Sequence, residues 1–214
     1  MYSRIARFMA SDACKVKHMT IIGAGQMGAG IAQVTAQAGI NVTMVDLDEK
    51  ALSRGVSSIE KSMGRVLKKK FADQPEVAEE KIRDLMSRIT TNTDVNAAAA
   101  DSDLVCEAVA ENLNLKINLF KSLDVTCKSE TIFASNTSSL SIEEIAVGCS
   151  ADRQAKFGGL HFFNPVPMMK LLEVVKVDGM TSDATYNELM AYGGAVNKKT
   201  VTVVSLNSSQ KVVF

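Results

Sequence analysis

Net charge is the first thing this chain is short of: 24 Lys and Arg balance 24 Asp and Glu, so no basic excess favours nucleic acid as a partner. Long apolar runs are missing as well. None approaches the roughly 20 residues that a membrane-spanning helix needs. The four cysteines, Cys14, Cys106, Cys127 and Cys149, form no CxxC pair and have no histidine at metal-ligand spacing, which removes the grounds for a disulfide framework or a zinc site. Reduced, mostly buried thiols are the expectation, with no metal ligand among them. Histidine is scarce too: His18 and His161 are the only two, which narrows the choice of a general base near neutral pH. What remains is a globular composition, 46% hydrophobic and 22% charged over 214 residues, without repeats and long enough to bury its own core.

The most informative segment follows the first apolar run. Met19-Thr20-Ile21-Ile22 turns into Gly23-Ala24-Gly25-Gln26-Met27-Gly28, and a second run, Asn41 to Val45, delivers Asp46 at 23 residues beyond Gly23. This is a dinucleotide-binding fingerprint. Gly23 permits the tight turn, Gly25 lets the backbone approach a pyrophosphate, and Gly28 lets the helix from Met27 to Ala38 lie close on the strand. That helix would point its free N–H groups and positive dipole end at the phosphates, so no basic side chain is required.

Beyond Asp46 the pattern alternates strands and helices, predicting an α/β fold: a Rossmann-like, doubly wound, mostly parallel sheet. Further buried strands are expected at Leu104 to Val109, Thr131 to Ala134, Gly159 to Phe163, Leu171 to Val177 and Thr200 to Val204, with helices at Leu113 to Leu123 and Asp183 to Tyr192. About 55 residues separate Asp46 from Leu104, where a usual crossover takes a dozen or two. The excess reads as an inserted helical hairpin over about 48–88. Leu52, Val56, Ile59, Met63 and Val66 recur at helical spacing, Pro75 breaks the chain, and Val77 to Arg88 supplies the second helix. The outer face of the hairpin carries Arg65, Lys68, Lys69 and Lys70, a solvated face or a seat for a polyanion. Residues 1–17, with Arg4, Arg7, Lys15 and Lys17 against Asp12, read as a basic leader of the transit-peptide kind, a frayed basic terminus being the alternative.

The candidate chemistry concentrates late in the chain. His18 opens the first strand, at the edge opposite the ligand side of a parallel sheet, and is read as structural. His161 lies in an apolar segment halted by Pro165 and Pro167, near a strand end. Glu173 is an acid inside Leu171-Leu172-Glu173-Val174-Val175, and a carboxylate among apolar neighbours needs a partner. A His161–Glu173 pair would satisfy it, fixing the imidazole tautomer and stabilising the imidazolium. Ala134-Ser135-Asn136-Thr137-Ser138-Ser139 ends another strand with small polar residues, where a hydroxyl could reach a substrate oxygen.

The ordered set GAGQMG, VDLD, the basic hairpin, EAVAEN, FASNTSSL and HFFNPVPMMKLLEVV resembles the short-chain L-3-hydroxyacyl-CoA dehydrogenases of mitochondrial fatty-acid β-oxidation, from about Lys17 to Ser205. The resemblance implies NAD as cofactor and an acyl-CoA substrate. It implies that His161 is the general base, that Glu173 orients it, and that Ser138 touches substrate and nicotinamide. It places Asp46 on the adenosine ribose, Glu111, Lys116 and Asn164 beside the cofactor, and Ser62 and Lys69 against CoA. It also implies the mitochondrial matrix, with cytoplasm or peroxisome as alternatives. The family continues into an Asp-x-Pro-Gly-Phe-x-x-Asn-Arg segment and a helical domain that supplies the acyl-chain wall and the homodimer interface. Here 206–214 is a divergent tail: the Pro-Gly-Phe context is absent, so Asn207 is not equated with the family's active-site asparagine. The reading is therefore a Rossmann-like domain over 18–205 with the C-terminal helical domain absent, and apolar surface exposed around Phe162, Phe163, Met168 and Met169. The alternative function is a non-catalytic NAD- and CoA-binding fragment that associates with full-length partners. A 6-phosphogluconate- or hydroxyisobutyrate-type dehydrogenase is disfavoured, because those families use a lysine base on a later helix.

Overall fold

The computed structural model describes residues 14–206 and, as backbone, 210–213. The leader read into 1–17 therefore lies mostly outside the described residues, as does Asn207. Within its described end, Val16 is in the core, and Lys17, itself exposed, donates its backbone N–H to Asp103 at 2.8 Å.

A single sheet of nine strands organises the described residues, in the order β3-β2-β1-β4-β5-β6-β7-β8-β9. The strands are β1 His18–Ile22, β2 Asn41–Val45, β3 Ile89–Asn92, β4 Leu104–Glu107, β5 Ile132–Ser135, β6 Phe157–Phe162, β7 Leu171–Val177, β8 Lys199–Leu206 and β9 Gln210–Val213. From β3 to β6 every neighbour is parallel. β7 then turns antiparallel to β6, β8 runs parallel to β7, and β9 runs back along β8, so part of the tail expected at 206–214 continues the sheet.

Successive strand residues divide between two cores, one on each face. Met19, Ile21, Leu104, Cys106, Ala134 and Leu160 pack with α1 (Gln26–Gln37), α2 (Glu49–Lys70) and α8 (Asp183–Ala195). Ile22, Val105, Phe133 and Phe157 pack against α4 (Val95–Ala99), α5 (Leu113–Thr126) and α6 (Ile142–Ala146). Phe120, Phe133 and Phe157 meet there with ring centroids 4.6 to 6.1 Å apart. The period-2 pleat makes this division automatic once both faces carry helices.

The long span after Asp46 differs from the expected insertion. α2 and α3 (Pro75–Ser87) together form the crossover from β2 to a parallel edge strand, β3, which the reading of apolar runs had not placed; α4 then leads to β4. Pro75 sits in the first turn of α3, where a missing N–H costs nothing, and does not simply interrupt the chain. On α2 the inward face is Leu52, Gly55, Ile59 and Met63, whereas Val66 is 55% exposed and Leu67 takes the half-buried place. The four-residue step to Leu67 follows the 3.6-residue period better than the three-residue step to Val66.

Candidate active site

The glycine turn after β1 has the geometry its sequence requires. Gly23 adopts φ +106 and donates to the Val45 carbonyl at 2.7 Å, tying β1 to β2. A Cβ on Gly28 would lie 1.7 Å from the Gly23 carbonyl oxygen, so only glycine lets α1 start this close to the strand. Around Gly25 there is open space instead, and α1 begins there without a side-chain cap, leaving its first N–H groups facing out of the turn beside Gln26 and Met27. That is an anion seat by construction. Asp46, one residue past β2, accepts from the Ala24 N–H at 2.9 Å and the Asp48 N–H at 3.2 Å. A carboxylate has about four acceptor positions, so lone pairs remain for a ribose diol.

Two loops meet next to this turn. The path after β4 passes so close that a Cβ on Gly23 would lie 2.6 Å from the Ala108 oxygen. Glu107, the last residue of β4, is wholly buried, and its carboxylate accepts from Lys116 Nζ at 2.6 Å, Ser135 Oγ at 2.6 Å and the Val109 N–H at 2.8 Å. Lys116 also lies 3.4 Å from Glu111, which accepts from Thr137 Oγ1 at 3.0 Å and the Ser138 N–H at 3.2 Å. Lys116, expected beside the cofactor, is thus itself buried and touches an exposed group only in Glu111, while Glu111 and Ser138 are exposed. Asn136 closes the group: its Oδ1 accepts the Phe162 N–H at 2.8 Å, joining the loop after β5 to the end of β6. Glu107 and Asn136 were not singled out from sequence. Glu107 carried the same signal as Glu173, an acid within an apolar strand.

His161 and Glu173 are brought together by register. They sit directly opposite on antiparallel β6 and β7, and His161 Nδ1 lies 2.8 Å from Glu173 Oε2. With Nδ1 donating to the carboxylate, the neutral ring presents Nε2 as its basic nitrogen. His18 lies elsewhere, bonded to Thr43 at 2.9 Å near the N-terminal ends of the strands. Beyond β6, Asn164 is exposed and precedes a cis peptide to Pro165. Val166 packs into the core against Gly30, and Lys198 Nζ donates to the Val166 and Met169 carbonyls, so the loop carrying Asn164 is anchored from two sides. Phe162 is buried, contrary to the apolar surface expected around it; Met168 and Met169 are exposed.

Ser62 and Lys69 lie on α2, half-buried and exposed, two turns apart. Beside them a groove of about 810 Å³ opens between α2 and α3, lined by Lys61, Arg65, Lys68 and Arg83 with Glu60 and Glu79, and not by Ser62 or Lys69. Cys106, Cys127 and Cys149 are buried free thiols and Cys14 is half-buried; loss of solvation raises all four, Cys149 to about 12. They are poor nucleophiles for that reason.

The family described as 3-hydroxyacyl-CoA dehydrogenase, NAD binding domain, matches residues 18–206. The chain belongs to it. Membership gives NAD as the cofactor. Similar curated proteins include a probable 3-hydroxyacyl-CoA dehydrogenase of Caenorhabditis elegans and the human mitochondrial hydroxyacyl-coenzyme A dehydrogenase, each 48% identical over 87% of this chain and 60% and 59% of their own lengths. The chain therefore spans about 60% of the length of these relatives. Among solved structures, the (S)-3-hydroxybutyryl-CoA dehydrogenase PaaH1 of Ralstonia eutropha superposes with a TM-score of 0.81 at 37% identity, covering 92% of this chain and 66% of that one. This 3-hydroxyacyl-CoA dehydrogenase fold includes the helical hairpin, and among the described residues no helix is long and apolar enough to cross a membrane.

Proposed function

We propose that the chain carries the catalytic half of an NAD-dependent 3-hydroxyacyl-CoA dehydrogenase, oxidising (S)-3-hydroxyacyl-CoA to 3-oxoacyl-CoA in fatty-acid β-oxidation. The observation that carries the reading is the His161–Glu173 pair at 2.8 Å on the sheet edge that also holds the glycine turn. When bound, NAD⁺ supplies a hydride acceptor. His161 Nε2 takes the proton of the 3-hydroxyl as the C3–H hydride leaves, and Glu173 holds the ring and stabilises the imidazolium that forms. Ser138 stands at the cleft surface to bond the substrate oxygen, on a loop fixed by Glu111 and Asn136. Asp46 would hold the adenosine ribose, Glu111 and Asn164 would face the nicotinamide half, and Ser62 and Lys69 would meet CoA. The 48% identity to mitochondrial relatives supports the mitochondrial matrix as the site of action.

The test is reduction of acetoacetyl-CoA by NADH, run beside titrations of both ligands. Turnover that depends on His161 supports the dehydrogenase. Binding of NADH and CoA without turnover favours the second reading, a ligand-binding fragment that acts with a full-length partner. Binding of neither ligand overturns both.

A further inference from the structure

The Glu107–Lys116 pair is wholly buried at 2.6 Å beside the ends of β4 and β5. Asp46 stands on the β2 side of β1, which assigns the adenosine half of NAD to β1 and β2; in a doubly wound sheet the other half crosses to β4 and β5. Glu107, Glu111, Ser135 and Ser138 occupy the C-terminal ends of those two strands and the loops just beyond them. The charges there are unequal. Lys116 has two carboxylates within reach, Glu107 at 2.6 Å and Glu111 at 3.4 Å, and both Lys116 and Glu107 are wholly buried. Glu107 and Lys116 together count as neutral. Glu107 holds Lys116 at the shorter distance and also accepts from Ser135 Oγ and the Val109 N–H. Two carboxylates share one ammonium, so the cluster carries one net negative charge, and Glu111, the more distant and 40% exposed partner, presents it outward.

We propose that Glu107 tunes the affinity of this site for NAD⁺ relative to NADH: by holding the Lys116 ammonium at the shorter distance it leaves the net negative charge of the cluster on Glu111, before the nicotinamide ring, which is cationic in NAD⁺ and neutral in NADH. Glu107 is a specificity-determining residue acting through Lys116 and Glu111. The inference rests on the cofactor placement given under the proposed function, and it concerns binding alone, so turnover is not needed to test it.

The experiment measures Kd for NAD⁺ by calorimetry and for NADH by its fluorescence on the 214-residue chain. In Glu107→Gln the ammonium is free to neutralise Glu111. The NAD⁺ affinity should then fall relative to NADH by roughly two- to thirty-fold, the span a unit charge about 8 Å away gives between bulk-water and protein-surface dielectric. Glu107→Gln combined with Lys116→Met restores a lone Glu111 charge and should return the ratio toward wild type. Because Glu107→Gln disturbs a buried group, Glu111→Gln serves as the independent arm: at a half-exposed position it removes the same charge, and the ratio should fall by a similar factor. Equal weakening of both nucleotides in Glu107→Gln and Glu111→Gln, or an unmoved ratio in either folded variant, overturns the inference. A wild-type chain that binds neither nucleotide overturns the cofactor placement itself, which separates the two failures.

Discussion

At the scale of single residues, the site rests on groups whose partners are fixed before any ligand arrives. His161 is one of two histidines, and Glu173 meets its Nδ1 through strand register, so one basic nitrogen remains for proton transfer. His161→Gln is expected to lower acetoacetyl-CoA turnover by about 10²–10⁴, the usual loss with a general base, while NADH affinity stays within a few-fold. Wild-type turnover in that variant would remove His161 from the mechanism. Asp46 is similarly committed: one oxygen holds the Ala24 N–H of the glycine turn, and in the proposed placement its charge would meet the ribose 2′-OH. A charged contact of that kind contributes about 1.5–3 kcal/mol, and a 2′-phosphate would be repelled, so NADH should bind well ahead of NADPH in parallel titrations. Equal affinities would contradict this. The His161–Glu173 pair was legible in sequence because a lone acid in an apolar strand demands a partner, and Asp46 because it follows the second strand at fingerprint spacing from the glycine turn. Glu107 was overlooked under the same demand: its partner, Lys116, is on a helix whose contacts only the fold decides. Lys116 shows the converse: placed beside the cofactor by the resemblance, a lysine within an ordinary helical stretch gave no sign in sequence of being wholly buried.

At the scale of elements, α5 and the loops after it are joined by a buried ion pair far from the cleft. Arg153, 3% exposed, bonds Asp124 of α5 at 2.9 Å and also donates to the Lys128 and Thr131 carbonyls, while the Ser150 N–H reaches Asp124 at 2.7 Å. Partial burial pushes the Asp124 carboxyl up, but the Ser150 N–H and the Arg153 guanidinium outweigh it and leave it below the ordinary value. Because the folded state holds this carboxylate below its unfolded value of about 3.9, its stabilisation is present above that value and is lost as pH falls through the folded value. Urea midpoints should therefore drop between pH 5 and pH 3, and Asp124→Asn should flatten that drop while costing about 1–3 kcal/mol at pH 7, the range for leaving a buried donor unpaired. An unchanged pH slope in the variant would locate the acid sensitivity elsewhere. Elements differed in how far sequence disclosed them. β7 was legible to the residue because five of its seven residues are apolar, whereas β3, Ile-Thr-Thr-Asn, is a half-exposed edge strand whose polar residues gave no such run. The hairpin helices were legible by their 3.6-residue period, but not that they serve as the crossover to β3.

At the scale of the whole molecule, charge is neutral in sum but not in distribution. With 24 cations and 24 anions there is no net field to steer an anionic ligand, so any attraction for the phosphates of CoA has to be local. The last turns of α2 supply such a place: Arg65, Lys68, Lys69 and Lys70 stand exposed on one stretch of helix, with Arg83 of α3 across the groove. The same cations also suit the negative end of the α2 dipole, so their presence alone does not argue for a ligand. The two roles separate in salt. Exposed charges are screened over about 8 Å at physiological ionic strength, and a phosphate held by them loses affinity as salt rises. CoA affinity measured by calorimetry should fall between low and physiological NaCl and fall again in Lys69→Ala, whereas NADH affinity, held mainly by the backbone N–H groups of α1, should respond less to both changes. The comparison works on the 214-residue chain alone, since binding at the hairpin does not require a complete acyl site. CoA affinity that ignores salt in wild type and variant alike would return the basic face to plain solvation, with the helix dipole as its reason for being there.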